Sequence, residues 1–208
     1  MKPSNVIAGA SAAIVAFQAV AYASRGESSL LRPPGAQGES DFMARCIKCG
    51  KCIDACPYQA LKPAGNEAGM AVGTPRIDAR DQACRLCEDF PCVDVCPTGA
   101  LRDVSARSDV RMGVAVIDEE GCIAFQGMRC EVCYRACPLI DEAITIDYRP
   151  REGDDIHAVF APQVVPDGCP GCGLCEQRCP VSDPAPAIVV VPAGAQEETY
   201  VARRNGAA

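Results

Sequence analysis

The sequence predicts a small α+β protein, one compact body or two small lobes, built from four copies of one cysteine-bearing unit and preceded by an apolar helix. Three observations carry that prediction. All sixteen cysteines of the 208-residue chain fall into four copies of a shared spacing. Short β-branched runs flank the copies, the mark of short strands. The large side chains of an ordinary core are scarce, with no Trp, five Phe and five Tyr. Cysteine must therefore supply order that apolar burial does not.

Residues 1–25 read as a signal or membrane-anchor segment. Pro3 to Ser24 carries no charge, Val6 to Val20 is mostly Ala, Ile, Val and Gly, and Lys2 and Arg25 bracket the stretch. Ala21-Tyr22-Ala23 has the form of a cleavage site, while the length just suffices for an uncleaved span. Both readings stand, and either puts the rest of the chain at or across a membrane. Residues 26–41, rich in Gly, Pro and Ser around Arg32-Pro33-Pro34-Gly35, read as a linker. Residues 42–192 hold the cysteine units, and residues 193–208 form a polar tail.

The first unit is Cys46-x2-Cys49-x2-Cys52-x3-Cys56-Pro57, and the second is Cys84-x2-Cys87-x4-Cys92-x3-Cys96-Pro97. The third is Cys122-x7-Cys130-x2-Cys133-x3-Cys137-Pro138, and the fourth is Cys169-x2-Cys172-x2-Cys175-x3-Cys179-Pro180. An apolar piece ending in Asp precedes three of them: Ile77-Asp78, Ile117-Asp118 and Val165-Pro166-Asp167. Another follows each: Ala60-Leu61, Ala100-Leu101, Ala143 to Ile146, and Ala187 to Val191. The unit reads as strand, cysteine loop, helical turn, strand.

This spacing is the chemistry of an iron–sulfur cubane. C-x2-C-x2-C wraps three corners of a [4Fe–4S] cluster, and the fourth Cys, followed by Pro, reaches a neighbouring cluster. Proline sets the turn leaving the site through its fixed φ. Gly50, Gly171 and Gly173 stand beside ligands and are expected to let backbone amides approach the sulfurs. Disulfide frameworks have no reason to repeat one spacing four times, each ending in Cys-Pro. Zinc sites use paired C-x2-C and often His. The single His, His157, lies outside every loop and reads as a surface or strand residue. Four [4Fe–4S] clusters on sixteen cysteines are therefore expected. The net charge of −7 repels phosphate backbones and disfavours nucleic acid as a partner. No nucleophile–base set, phosphate-cradling loop or cofactor fingerprint is present, so no catalytic residue is assigned and the chain reads as an electron carrier rather than an enzyme.

Several stretches resemble the MauM/NapG group of ferredoxin-type proteins. They are Arg32-Pro33-Pro34-Gly35-Ala36, Phe42 to Gly50, Gly73-Thr74-Pro75, Cys84 to Asp89 and, most specifically, Arg129 to Asp141 with the x7 spacing after Cys122. The resemblance covers about Arg32 to Pro192 and implies two ferredoxin-like lobes with two clusters each. The x4 spacing of the second unit also resembles iron–sulfur subunits of the dimethyl sulfoxide reductase class, whose units pair first with fourth and second with third. Carried over by position, that implies Cys46, Cys49, Cys52 with Cys179, and Cys169, Cys172, Cys175 with Cys56. It likewise implies Cys84, Cys87, Cys92 with Cys137, and Cys122, Cys130, Cys133 with Cys96. The similar gaps between units do not exclude pairing of consecutive units.

The resemblance further implies a periplasmic, membrane-associated protein. It would take single electrons from a NapH-like quinol-oxidising iron–sulfur partner in the membrane and pass them to a c-type cytochrome or reductase. The family's twin-arginine export pair has no counterpart here, where Lys2 alone precedes the apolar stretch. Two other roles fit the same residues: the iron–sulfur subunit of a molybdenum oxidoreductase or hydrogenase, and a MauM-like maturation factor for a periplasmic dehydrogenase.

Overall fold

The computed structural model describes residues 30–151, 153–183 and 185–197. The signal or anchor reading of residues 1–25, and the tail from residue 198 onward, lie outside them. Among the described residues, five short α-helices follow in chain order: α1 (Glu39–Arg45), α2 (Lys51–Asp54), α3 (Pro91–Asp94), α4 (Val132–Ala136) and α5 (Leu174–Arg178). Six strands accompany them: β1 (Leu61–Pro63), β2 (Pro75–Ile77), β3 (Gly113–Ile117), β4 (Ile144–Arg151), β5 (Asp154–Val164) and β6 (Ile188–Pro192).

The strands form three antiparallel pairs, and the pairing explains the flanking repeats. β1 leaves the first cysteine unit and pairs with β2, which enters the second, Leu61 opposite Ile77. β4 leaves the third unit and pairs with β5, which enters the fourth, Ile144 opposite Val164. β3 enters the third unit and pairs with β6, which leaves the fourth, Ile117 opposite Ile188. Consecutive units are thereby bracketed into two domains, the first carrying units one and two and the second units three and four. α2 packs on α3 in one domain and α4 on α5 in the other. The mixed α+β architecture with small sheets is as the sequence predicts, and His157 falls on β5 as a strand residue.

The stretch read as a linker is, from residue 30 onward, part of the first domain. Leu31 and Arg32 are 4% and 6% exposed, and Pro33 and Pro34 are fully buried. Leu31 bridges Ile77, and Ala36 bridges Leu101, both antiparallel. By the symmetry with β3–β6, this segment occupies the place of a strand entering the first unit. It makes single bridges rather than a ladder because Pro33 and Pro34 have no N–H to donate.

Arg32 anchors the segment. Its Nε donates to Glu39 at 2.8 Å, and one terminal nitrogen donates to Thr74 Oγ1 at 2.8 Å and to the Pro75 carbonyl at 2.9 Å. The other terminal nitrogen pairs with the second Glu39 oxygen. The guanidinium also lies 4.6 Å from the centroid of the Phe42 ring.

In the second domain the long loop between Cys122 and Cys130 is pinned to the β4–β5 hairpin. Arg129 stacks on Phe160 at 4.9 Å, Arg149 lies over Phe125 at 5.9 Å, and Tyr148 meets Phe160 edge-on at 5.2 Å. Buried Phe42, Leu86, Phe90, Val110, Leu174 and Val190 belong to one core shared by both domains.

Within that core Glu176 is 1% exposed, and its carboxylate accepts the Val190 N–H at 2.7 Å. This carboxylate ties α5 to β6. Glu176→Ala leaves the Val190 amide buried without that acceptor and opens a cavity. It is expected to lower the stability of the second domain by about 2–3 kcal/mol, read by chemical denaturation.

Candidate iron–sulfur site

Each cysteine unit presents three thiols from a loop that turns into a short helix. Gly50 and Gly173 cap α2 and α5 with φ of 77° and 84°, a conformation that bends the loop between the second and third cysteines. A Cβ on Gly173 would also run into Ala79. Phe90 does the same work for α3 at φ 38°, followed by Pro91 at the first helical position. The glycines thus shape the loops and their close packing. The amides that reach sulfur come from other residues. Ala60 N–H points to Cys56 Sγ at 3.3 Å, Leu101 to Cys96 at 3.4 Å, and Leu86 to Cys84 and Ala115 to Cys169, each at 3.5 Å. The signal for Ala60 and Leu101 is the repeat of Ala60-Leu61 as Ala100-Leu101 shortly after Cys-Pro; Leu86 and Ala115 have no such signal. Such bonds stabilise a thiolate and tune the potential of what it binds.

The thiols gather in four sets. Cys46, Cys49 and Cys52 line one cavity together with Cys96. Cys84, Cys87 and Cys92 each interact electrostatically with Cys56, which groups these four thiols as the remaining set of the first domain. Cys122, Cys130 and Cys133 line a cavity with Cys179, and Cys169, Cys172 and Cys175 line one with Cys137. The exchange of fourth cysteines is therefore between consecutive units. This corrects the nested arrangement: Cys179 stands with the third unit rather than the first, Cys56 with the second rather than the fourth, Cys137 with the fourth rather than the second, and Cys96 with the first rather than the third. The cause is strand pairing, because β1–β2 and β4–β5 close each pair of units on itself before the chain can reach the other pair.

Each set offers four thiols, one for each iron of a [4Fe–4S] core. Three of the sets line small cavities of similar size. Their other walls are mainly apolar, Ile117 and Ile188 in one, Val164 and Val190 in another, Phe42 and Leu101 in the third. All sixteen cysteines are free of disulfides. Among the described residues no three Cys, His, Asp or Glu side chains converge on one point that a single metal ion could occupy. A zinc ion needs its sulfurs within about 2.3 Å of one centre.

Burial pushes the Cys52 thiol up to about 11 and those of Cys84, Cys92, Cys133 and Cys172 up to about 12. Cys175 is driven well above the ordinary thiol range, by burial first and then by Cys172 and Cys169. Cys96 is the exception: although burial pushes it up, the amides of Leu101, Thr98 and Ala100 draw it below that range. Sulfurs so placed become thiolates when a positively charged core shares the cavity.

The comparisons with known proteins agree with this partition. The model of the 4Fe-4S dicluster domain matches residues 45–100 and again 122–182, one match per pair of units. The ferredoxin-type protein NapG of Escherichia coli strain K12 is 48% identical over 188 residues, covering 89% of this chain and 80% of that protein. NapG of Haemophilus influenzae is 47% identical over 162 residues, covering 76% of this chain and 58% of that protein. The methylamine utilization ferredoxin-type protein MauM of Methylorubrum extorquens is 41% identical over 181 residues, covering 86% and 80%.

Proposed function

The chain belongs to the NapG/MauM family of ferredoxin-type iron–sulfur proteins, and from that premise we propose that it carries four [4Fe–4S] clusters and relays single electrons from a quinol-oxidising membrane partner to a periplasmic cytochrome or reductase. The observation that carries this reading is the division of sixteen thiols into four sets of four, each completed by a cysteine from the neighbouring unit. When bound, each cluster would supply a one-electron couple whose potential depends on burial, charge and hydrogen bonds to sulfur. The chain's own part is to hold the thiols, exclude water with apolar walls and aim amides at selected sulfurs. Such a protein sets distance and potential and makes no bonds itself.

Membrane association is proposed through residues 1–25 and the partner. Among the described residues no helix is long and apolar enough to cross a membrane. The relative named for methylamine utilization keeps the maturation role as a second reading. The identity to NapG is higher, 48% against 41%, and supports the relay.

Anaerobic purification of the full chain is expected to give about sixteen iron atoms and as many acid-labile sulfides per chain. Dithionite should develop the paramagnetic signals of reduced clusters, and reduction by a quinol should require membranes that contain the partner. Colourless, iron-poor protein would end the cluster assignment. Full clusters that never accept electrons from such membranes would favour the maturation role.

A further inference from the structure

The family reading names two dicluster domains but not how electrons would cross between them. The backbone gives one candidate junction. The Cys84 N–H donates to the Cys172 carbonyl at 2.9 Å, and both residues contribute thiols to a set, Cys84 to the second and Cys172 to the fourth. The path from one sulfur to the other runs along two side-chain arms, two short backbone segments and a single hydrogen bond. Electron tunnelling falls steeply with distance and is helped by such a bonded path.

The contact is built, not incidental. Arg80, four residues before Cys84, reaches across the domain boundary to the end of α5. Its guanidinium donates to the carbonyls of Glu176 at 2.8 Å, Cys179 at 3.0 Å, and Gln177 and Val181 at 3.4 Å each. A cation donating to the last carbonyls of a helix satisfies groups that have no partner within the helix. Gln177 Nε2 returns the contact, donating to the Asp81 carbonyl at 2.9 Å and to Gln82 Oε1 at 3.2 Å. Gly173, between Cys172 and Cys175, leaves room for Ala79 to pack directly against the fourth loop.

Within each domain the sets also adjoin. Cys52 of the first set stands on α2 and Cys92 of the second on α3, which pack together, and Cys133 of the third stands on α4 and Cys175 of the fourth on α5, which do the same. Cys169 and Cys172 of the fourth set are 7% and 6% exposed, while the first set includes exposed Cys49 beside Ile47, which is 63% exposed. The loop of the third set carries Met128, 52% exposed.

We propose that the Cys84–Cys172 peptide contact, held by Arg80, is the electronic junction between the two domains, so that the thiol sets lie in the series first, second, fourth, third, with the first and third as the outward ends. The inference rests on the relay reading above. With a cluster bound in each set, one electron would pass from a reduced set to the oxidised set next in the series, with no bond or proton moving.

The test reads magnetic coupling in fully reduced, anaerobic full-length protein, with neither donor nor acceptor present. Cys49→Ala with Cys130→Ala keeps the second and fourth sets, and its electron paramagnetic resonance spectrum is expected to be broadened by spin–spin interaction. Cys87→Ala with Cys175→Ala keeps the first and third sets and is expected to give two independent spectra. Arg80→Ala keeps every ligand, and is expected to retain its iron while losing the broadening between domains. Independent spectra from the first variant, or coupled spectra from the second, overturn the order. Unchanged coupling in Arg80→Ala at full iron overturns the junction and decides the matter should either double variant fail to load. Failure of the relay reading looks different: iron-free protein, or coupled clusters that no quinol-linked membrane reduces.

Discussion

Cys96→Ala is expected to remove iron from the Cys46 loop, about 50 residues upstream, and to leave the Cys122 loop intact. Cys96 shares a cavity with Cys46, Cys49 and Cys52, so its loss takes one corner from that set and from no other. If each set holds a cubane, iron should fall by about four atoms per chain. The first domain should suffer beyond the metal, because Phe42, Pro75, Ala100 and Leu101 are among the remaining walls. With the core gone, those apolar walls lose the group they pack around. Hydrogen exchange locates the damage. Protection should drop in α1, α2 and residues 96–101, while residues 122–133 and β3–β6 keep theirs. The nested arrangement predicts the reverse, with damage centred on Cys122 to Cys133. A result of that kind would reject the consecutive pairing, and a loss spread over both domains would show that the two cannot be loaded separately.

The sixteen ligands, their division into units and the strand-like flanks were legible because each is local. A thiol spacing, a Cys-Pro step or a β-branched run such as Ile188 to Val191 carries its meaning within about a dozen residues. The pairing of units was not legible, because it depends on which strand meets which. Leu61 opposite Ile77 and Ile117 opposite Ile188 are contacts across 16 and 71 positions, and nothing in either segment names its partner. The Arg32-Pro33-Pro34-Gly35 stretch misled for a related reason. Its composition is that of a turn, yet its burial is decided by Glu39, Thr74 and Pro75, residues that look unremarkable where they stand. Arg80 was passed over likewise: a lone arginine between Ala79 and Asp81 reads as surface charge until α5 is seen to end against it.

Arg32→Ala should be among the most damaging substitutions that leave every thiol in place. The side chain is 7% exposed and Glu39 48% exposed, so the ion pair lies at an edge, with the cation inside and the carboxylate half in water. The Coulombic part of the pair is accordingly modest. The larger loss comes from what Arg32 satisfies indoors. Thr74 Oγ1 and the Pro75 carbonyl lose their donor, and Thr74 is fully buried. Phe42 loses the cation on its face, and a void opens beside Phe42 and Met43. Together these should cost the first domain about 3–4 kcal/mol. Arg32→Lys keeps the charge but cannot bridge Glu39, Thr74 and Pro75 at once, since an ammonium lacks the planar fork. It should recover only a minor share. The readout is the midpoint of denaturant-induced loss of visible absorbance under anaerobic conditions, compared with a surface control such as Arg45→Ala. Arg45 is paired with Asp41 on the outside of α1 and should shift the midpoint little. Equal shifts for Arg32→Ala and Arg45→Ala would mean that the Arg-Pro-Pro-Gly segment is dispensable and that the first domain closes without its fourth strand-like edge.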